Sequence, residues 1–256
     1  MIEINPAQMT DTLRSFFKVE TAPGGLRFAA VLAGDNRGKI WTNHPEQPTW
    51  GIVQEGAFGT LYLEGNFPDG FLTDFIKDRQ QYGEVLYGFW AEDAEALEAQ
   101  FPPAPYNGHV FESDTRSTTV DLKPYLERVP EGCVMRTVDT EWFPRIQDYQ
   151  FYSEMFGSPE RALERGFGFC LTRGEAVVCE AFAGTSADGV IEIGVNTWDG
   201  QRQKGYGTLV CAHVITEAER RGYSTYWNCA AQNAASVALA HKLGYAPMKQ
   251  YRLLAW

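Results

Sequence analysis

The sequence predicts a mixed α/β fold, and three observations support this prediction. Hydrophobic residues make up 44% of the 256 residues and charged residues 21%, which is typical of a globular chain with a sizeable core. Strand-like apolar segments and segments with helical spacing follow one another along the whole chain. In the second half the predicted order is β-α-α-β-β-β-α-β-α-β, which is a distinctive topology.

The first half is predicted to contain both kinds of element. Met9, Leu13 and either Phe16 or Phe17 have helical spacing, which predicts an opening helix over 7–19. The continuous apolar run 28–33 ends at Gly34-Asp35-Asn36 and predicts a buried strand. The other elements predicted in this half are strands at 50–53, 60–63 and 84–90 and helices at 69–81 and 91–100.

A proline-rich passage separates the two halves. Pro102, Pro103 and Pro105 break the chain, and a polar segment leads from them to Pro130-Glu-Gly. Such passages are where domain boundaries occur. The sequence therefore predicts a seam near residue 125, with domains over 1–125 and 126–256.

The second half gives clearer signals. Thr140 and Ser158 are predicted caps of two successive helices, and Arg173-Gly174 marks the turn of a hairpin. Gly222 and Gly244 are predicted to end two later helices. The predicted elements are strands at 133–138, 167–172, 176–183, 190–197, 223–229 and 245–256 and helices at 140–156, 158–165, 203–221 and 233–243.

Composition excludes several function classes. The net charge is −11, of which residues 1–128 carry −9 and residues 129–256 carry −2. A nucleic-acid partner is excluded, because phosphate binding needs a basic face. The imbalance suits a cationic partner for the first half and an anionic one for the second, although acidic surfaces also serve solubility alone.

Cysteine and histidine usage argues against disulfides and metal. The five cysteines form an odd set without a C-x-x-C pair, and the four histidines show no paired spacing. We therefore expect free thiols in a reducing compartment and no metal site. The start of the chain lacks an export signal and no apolar stretch is long enough to span a membrane, so we expect a cytoplasmic protein with no membrane partner.

One motif predicts a phosphate site. Residues 202–207 read Arg-Gln-Lys-Gly-Tyr-Gly and lie between a predicted strand and a long helix. Glycines allow a bulky anion to approach the backbone, and the free amides of a helix start bind phosphate oxygens without metal. Arg202 and Lys204 add positive charge at the same place.

A second motif opens the next helix. Asn233, Ser236, Leu239, Gly244 and Tyr245 have a spacing that rarely arises by chance. Together the two motifs resemble the GNAT superfamily of acyl-CoA-dependent N-acetyltransferases, over residues from about 130 to 256. The resemblance implies a mixed, splayed central sheet, with acetyl-CoA as co-substrate and no metal.

A narrower resemblance extends along the whole chain. Residues 50–59, 62–66, 192–195 and 239–245 are similar to the bacterial GNAT group that contains the zwittermicin A resistance acetyltransferases. This resemblance implies that the first half is a diverged GNAT-type domain that covers the acceptor. Trp41, Trp50, Phe58 and Tyr62 there suit either an acceptor pocket or core packing.

The GNAT resemblance also implies which residues hold acetyl-CoA. The strand before the phosphate loop would pair with the pantetheine arm through Ile193, Val195 and their neighbours, and a backbone N–H near Val195 would stabilise the oxyanion. Asn233 and Ser236 would contact the cofactor, although Asn233 also suits plain helix capping. The implied phosphate contacts are Arg202, Gln203, Lys204, Gly205, Tyr206, Gly207 and Thr208.

Two catalytic residues follow from the same resemblance. Glu192, flanked by Ile191 and Ile193, would take the proton of the attacking amine; burial would raise its pKa towards the working pH. The alternative is that Glu192 faces solvent or pairs with an arginine. Where many members have an acid tyrosine this chain has Ala240, so Tyr245 is the first candidate acid. Tyr226 and Cys229 are the others, and a thiolate can also leave without an acid.

The predicted function is acetyl transfer from acetyl-CoA to a primary amine of a small, cationic molecule, by a monomer or homodimer. Two alternatives remain open. The chain could be a non-catalytic acyl-CoA-binding regulatory module, or it could acetylate an amine of a protein or peptide.

Overall fold

The computed structural model describes residues 1–22, 24–56, 59–80, 86–89, 107–113, 116–247 and 249–255. The described helices are α1 Asp11–Phe16, α2 Gly25–Ala33, α3 Phe71–Gln80, α4 Lys123–Leu126, α5 Tyr149–Phe156, α6 Pro159–Arg165, α7 Tyr206–Arg220 and α8 Ala234–Lys242. The described strands are β1 Ile2–Glu3, β2 Gly38–Thr42, β3 Trp50–Glu55, β4 Leu61–Gly65, β5 Leu86–Phe89, β6 Asn107–Ser113, β7 Val134–Thr137, β8 Phe167–Arg173, β9 Ala176–Ala187, β10 Val190–Thr197, β11 Ser224–Ala230 and β12 Lys249–Ala255. The predicted helix at 91–100 lies outside the described residues.

The chain divides into two compact units. The first holds Met1–Phe111, Ala230–Gln232 and Lys249–Trp256, and the second holds Glu112–Cys229 and Asn233–Met248. The division therefore comes before the seam that the sequence predicts near residue 125, and β12 belongs to the first unit. The polar segment that suggested the seam contains α4, which packs on α7 inside the second unit.

The first unit contains a sheet in the order β1-β2-β3-β4-β5-β12. Neighbouring residues in its strands point to opposite faces, so each face has its own core. Trp41 and Trp50 lie buried in one core and Tyr62 in the other. These three aromatic residues are therefore core packing, and Phe58 lies outside the described residues.

The predicted strand at 28–33 is wrong, because these residues form helix α2. Phe28, Val31 and Leu32 are all buried, and their spacing places them on one helical stripe. Gly24 precedes the helix with φ of 63° and Gly34 ends it with φ of 76°, a region that glycine enters without strain. The apolar run is one buried helix face with alanines around it.

The second unit confirms most of the elements predicted for it. Its strands lie in the order β11-β10-β9-β8-β7, with β7 to β10 antiparallel and α7 packed on β8, β9 and β10. The predicted helix over 140–156 instead begins as a 3-10 turn, Phe143–Arg145, and continues as α5. Thr140 is not the cap: the Asp139 carboxylate accepts the backbone N–H groups of Glu141 and Trp142. No helix in the described part of the chain is long and apolar enough to cross a bilayer.

Candidate active site

The two central strands of the second unit separate part of the way along. β10 and β11 pair in parallel over three positions, of which Glu192 and Tyr226 form the last. β10 continues to Thr197 and β11 to Ala230 beyond this pairing. We call the gap between residues 193–197 and 227–229 the splay, and the Glu192 and Tyr226 position its vertex. Two strand edges with backbone hydrogen-bonding groups line the splay.

The side chains of β10 alternate between two faces of the sheet. On the α7 face, a Cβ at Gly207 would lie 3.8 Å from atoms of both Val195 and Thr197. On the α5 face, the Asn196 amide donates a hydrogen bond of 2.6 Å to Asp148. Glu192 shares this second face with Asn196, because alternate residues of a strand point the same way.

Helix α7 begins with an open N-terminus. Gly205 is its N-cap, with φ of 79°, and a Cβ there would meet nothing within 4 Å. The first amides of a helix have no acceptor within it, and no side chain caps this one. The amides and the helix dipole therefore present positive partial charge to an open space.

Two cations stand beside this helix start. The Arg202 guanidinium donates to the Thr197 carbonyl at 3.3 Å, and the Lys204 ammonium donates to the Gly200 carbonyl at 2.8 Å. Both side chains are exposed. The Arg202 bond joins the loop to the end of β10, and the Lys204 bond closes the loop on itself just before α7. Arg202 also pairs with the Asp199 carboxylate at 3.1 Å. Gln203 lies between these two residues in the chain. Its side chain is exposed, and its backbone has a φ of 62°.

Two of the predicted phosphate contacts turn their side chains inward. Tyr206 and Thr208 are buried, and Arg173 donates a hydrogen bond of 3.2 Å to the Tyr206 hydroxyl. Only their backbone amides are thus available at the helix start. Gly207 lies against Leu239 of α8, since a Cβ there would be 3.3 Å from the leucine side chain.

The polar side chains of the second motif make hydrogen bonds to neighbouring groups of the protein. The Asn233 amide oxygen accepts the Ser236 backbone N–H at 3.2 Å, so Asn233 caps α8. The Ser236 hydroxyl accepts the indole N–H of Trp227 at 3.3 Å, which ties α8 to the β11 side of the splay. Ala240 is fully buried.

A buried polar cluster lies at the vertex. The Tyr226 hydroxyl donates to a Glu112 carboxylate oxygen at 2.6 Å and accepts from the Asn228 amide at 2.9 Å. Tyr226 is 3% exposed and Glu112 is 5% exposed. Glu192 is the register partner of Tyr226, so their side chains share the α5 face. Glu112 lies far upstream in β6, outside both sequence motifs, and was not among the predicted site residues.

The structure does not bring Tyr245 together with Glu192. Its hydroxyl shares a hydrogen bond of 2.5 Å with Thr225, and its ring packs 5.4 Å from that of Trp227. Thr225 and Trp227 alternate with Tyr226, so they occupy the opposite face of β11. Tyr245 is 1% exposed, and burial raises the pKa of its phenol well above the ordinary value.

A second carboxyl group is buried on the α5 face. Glu180 is 2% exposed; one of its oxygens accepts the Gln147 backbone N–H at 3.0 Å, and the other has no hydrogen-bond partner. Burial raises the pKa of Glu180 to about 8, and the nearby charge of Asp148 adds to the effect. Glu180 was not among the predicted site residues either, although a lone glutamate inside the apolar run 176–183 indicates a special position.

Glu180→Gln is expected to remove a pH-dependent loss of stability. The folded pKa of about 8 exceeds the ordinary glutamate pKa of 4.5, so the folded protein holds this proton more tightly and loses stability as pH rises between those values. The wild-type chain should lose about 3 kcal/mol relative to the variant between pH 5.5 and pH 8.5. Urea unfolding at pH 5.5 and 8.5 measures it. The exposed Glu154→Gln is the control, and parallel wild-type and Glu180→Gln curves would contradict the prediction.

Within the described residues, no group of three or more His, Cys, Asp or Glu could hold a metal ion. The candidate site consists of an open helix start with two cations, two separated strand edges and a carboxylate at their vertex. Such a site can hold an anionic group at one end and an extended chain between the strands, with a proton acceptor at the vertex.

Comparisons with known proteins agree with this architecture. A model of the family described as GNAT acetyltransferase matches residues 26–254. A protein of Bacillus subtilis (strain 168), the uncharacterized N-acetyltransferase YdfB, is 26% identical over 128 residues, which is 49% of each chain. The match thus spans about half the length of that relative.

Solved structures share the fold along nearly the whole chain. A GCN5-related N-acetyltransferase-like protein from Streptococcus suis 89/1591 aligns with a TM-score of 0.75 at 19% identity, covering 98% of this chain and 100% of that one. A tandem GNAT protein from the clavulanic acid biosynthesis pathway aligns with a TM-score of 0.66 at 10% identity, covering 98% and 93%. The fold is therefore the mixed α/β GNAT fold.

Proposed function

We propose, from the premise that the chain belongs to the GNAT acetyltransferase family and is an acyl-CoA-dependent acyltransferase, that it transfers an acetyl group from acetyl-CoA to a primary amine of a small molecule. The observation that carries this proposal is the open start of α7 at the end of the splayed strand β10. The start of α7 can bind an anion, and the edge of β10 can pair with an extended chain attached to that anion.

The residues present suit acetyl-CoA. The amides of residues 205–208 and the charges of Arg202 and Lys204 would hold the pyrophosphate, with Gln203 beside them. The β10 edge at Ile193 and Val195 would pair with the pantetheine arm, and Asn233 and Ser236 would flank it. The thioester supplies an activated acetyl group.

Glu192 would serve as the general base. The attacking amine must be neutral, and a carboxylate at the vertex can take its proton directly or through one water. The carbonyl oxygen gains negative charge during attack, and a backbone N–H near Val195 would stabilise that charge. Both groups belong to β10, which pairs with β9 from Val190 to Thr197, so the strand itself sets their spacing.

A cationic acceptor is supported by charge. Glu112, Asp148 and Glu192 bring three carboxyl groups to the α5 face of the second unit, where Glu180 lies as well with its pKa raised to about 8. Carboxyl groups favour an ammonium-bearing molecule and disfavour an acidic one. The narrower resemblance to the zwittermicin A resistance group remains a prediction.

The deciding experiment offers the protein acetyl-CoA and a panel of amines that includes amino sugars, polyamines and peptides, and measures release of free thiol. We expect release with at least one small cationic amine. Release only with peptides would support the protein-acetylating alternative. Saturable acetyl-CoA binding without thiol release from any amine would support the regulatory alternative and contradict the proposal.

A further inference from the structure

We propose that Asp148 and Glu180 form a cation subsite that binds a second ammonium group of the acceptor. This inference rests on the proposed function and narrows the acceptor to amines that carry two positive charges at the ends of an extended chain. Its basis is a pair of carboxyl groups on the α5 face, which lie outside both sequence motifs and which no step of the proposed reaction uses.

A buried carboxyl oxygen is the first argument. Glu180 is 2% exposed, and one of its oxygens accepts the Gln147 backbone N–H while the other has no hydrogen-bond partner. A buried polar atom in this state costs free energy. A ligand that brings an N–H to this oxygen would offset that cost, and an ammonium group carries three such donors.

The surroundings of this oxygen favour a cation. Glu180 is the register partner of Asn196, so the two side chains share the α5 face. The Asn196 amide donates to the Asp148 carboxylate at 2.6 Å, which brings Asp148 to the same pair. The hydrogen bonds to the two carboxyl groups come from Gln147 and Asn196, which are neutral donors. The negative charge of the pair is therefore not offset by these bonds.

Solvent reaches the subsite at Asp148. Asp148 and Asn196 are both partly exposed, whereas Glu180 is buried beside them. An ammonium group would therefore contact the Asp148 carboxylate directly and would have the Glu180 carboxyl group on its inner side. Charge-assisted hydrogen bonds of this kind are stronger than neutral ones.

The strand sets the length of the acceptor. Glu192 and Asn196 lie on the same face of β10, and four residues of strand separate them by about 13 Å. Between them, a Cβ at Gly194 would collide with the Tyr152 hydroxyl, so α5 fills the space directly over the strand. The chain that joins the two nitrogens would lie beside Tyr152, along the splay. An extended diaminooctane approaches this length, and diaminobutane falls well short of it.

Ammonium binding should release a proton from Glu180. Burial raises the pKa of Glu180 to about 8 and Asp148 adds to the effect, so the group is mostly protonated at pH 7; a bound positive charge would lower this pKa. Its register partner on β8 is Cys170, whose pKa burial raises to about 12, so that thiol keeps its proton. Arg136 and Asp139 are the other charged groups that act on Cys170.

The first test compares octylamine with diaminooctane, which have the same carbon chain and differ in the second ammonium group. With the wild-type chain and acetyl-CoA, we expect kcat/KM for thiol release to be about 10- to 100-fold higher with the diamine. Diaminobutane should gain over butylamine only what two equivalent amino groups give by number, because its second ammonium cannot reach the subsite. An equal gain at both lengths would overturn the inference, since it would reflect general attraction by negative charge.

Two variants assign the effect to the subsite. Asp148→Asn and Glu180→Gln keep the side-chain size and remove the carboxyl groups. In each, the ratio of kcat/KM between diaminooctane and octylamine should fall about tenfold, through a higher KM for the diamine. The ratio is taken within one variant, so a general loss of stability cancels. Glu154→Gln, an exposed carboxylate on α5, is the matched control and should keep the wild-type ratio. An unchanged ratio in both subsite variants would contradict the inference.

Calorimetry with coenzyme A in place of acetyl-CoA separates this inference from the proposed function. At pH 7, in buffers of different ionisation enthalpy, diaminooctane should bind more tightly than octylamine and release more protons. Glu180→Gln should abolish the extra release. This result without thiol release from any amine would keep the subsite and contradict the transfer reaction. Thiol release from both amines, with equal affinity and equal proton release, would keep the proposed function and overturn the inference.

Discussion

Gly205→Asp is expected to abolish acetyl-CoA binding while the chain stays folded. A Cβ at Gly205 meets nothing within 4 Å, so the new side chain has room. It would occupy the space before the first amides of α7 and bring a negative charge there, against the pyrophosphate that those amides would hold. The residue has a φ of 79°, so the substitution also costs about 1 to 2 kcal/mol of stability. Calorimetric titration with acetyl-CoA measures the loss.

Two control variants separate charge from backbone strain. Gly205→Asn has nearly the same size and no charge, and asparagine tolerates the left-handed region, so its affinity should fall much less. Gly222→Asp places the same residue at a φ of 86° after the other end of α7, again with nothing within 4 Å of a Cβ, and should leave binding intact. Undiminished affinity in Gly205→Asp would remove this loop from the cofactor site.

Glu192→Gln is expected to lower kcat by 10²- to 10⁴-fold, the typical contribution of a positioned base. The amide has the same size as the carboxylate but cannot accept the proton of the amine. Acetyl-CoA affinity should be unchanged, because the substitution is at the vertex and not at the start of α7. Rising pH should recover part of the loss, since solvent then deprotonates the amine. The pH dependence of thiol release, measured beside wild type, is the readout.

The same variant distinguishes an enzyme from an acyl-CoA sensor. A sensor has no proton to move, so its ligand affinity and stability would be indifferent to Glu192→Gln. Glu164→Gln, an exposed carboxylate on α6, is the matched control and should behave as wild type. Full activity in Glu192→Gln would exclude this residue as the base and leave the proton to another group of the site.

The sequence predicted the strands of the second unit better than it predicted α2. Strand alternation and turn glycines gave the hairpin of β8 and β9 and the positions of β10 and β11. Residues 28–33 are six apolar residues in a row, and such a run fits a buried strand and a buried helix face equally well. The deciding information was Gly24 and Gly34, whose positive φ values belong to helix ends.

The candidate site was predictable where its residues are neighbours in the chain. The spacing around Gly205 identified a helix start, because that feature is local. Glu112 could not be found in this way, since only the folding of the second unit brings it to Tyr226. The position of Tyr245 in the second motif predicted it as the acid. Alternation along β11 places Thr225 on the face opposite Tyr226, and the Tyr245 hydroxyl bonds to Thr225.

The divergence of β10 from β11 leaves inner backbone groups without strand partners across it. Water must satisfy those groups when nothing else does, so alternate amides of residues 193–197 should exchange hydrogen for deuterium far faster than those of 190–192. A ligand arm lying between the strands would slow that exchange at those amides, while the outer edge of β7 would be unaffected. Deuterium uptake along β10 therefore records occupancy of the gap even in a variant that cannot turn over.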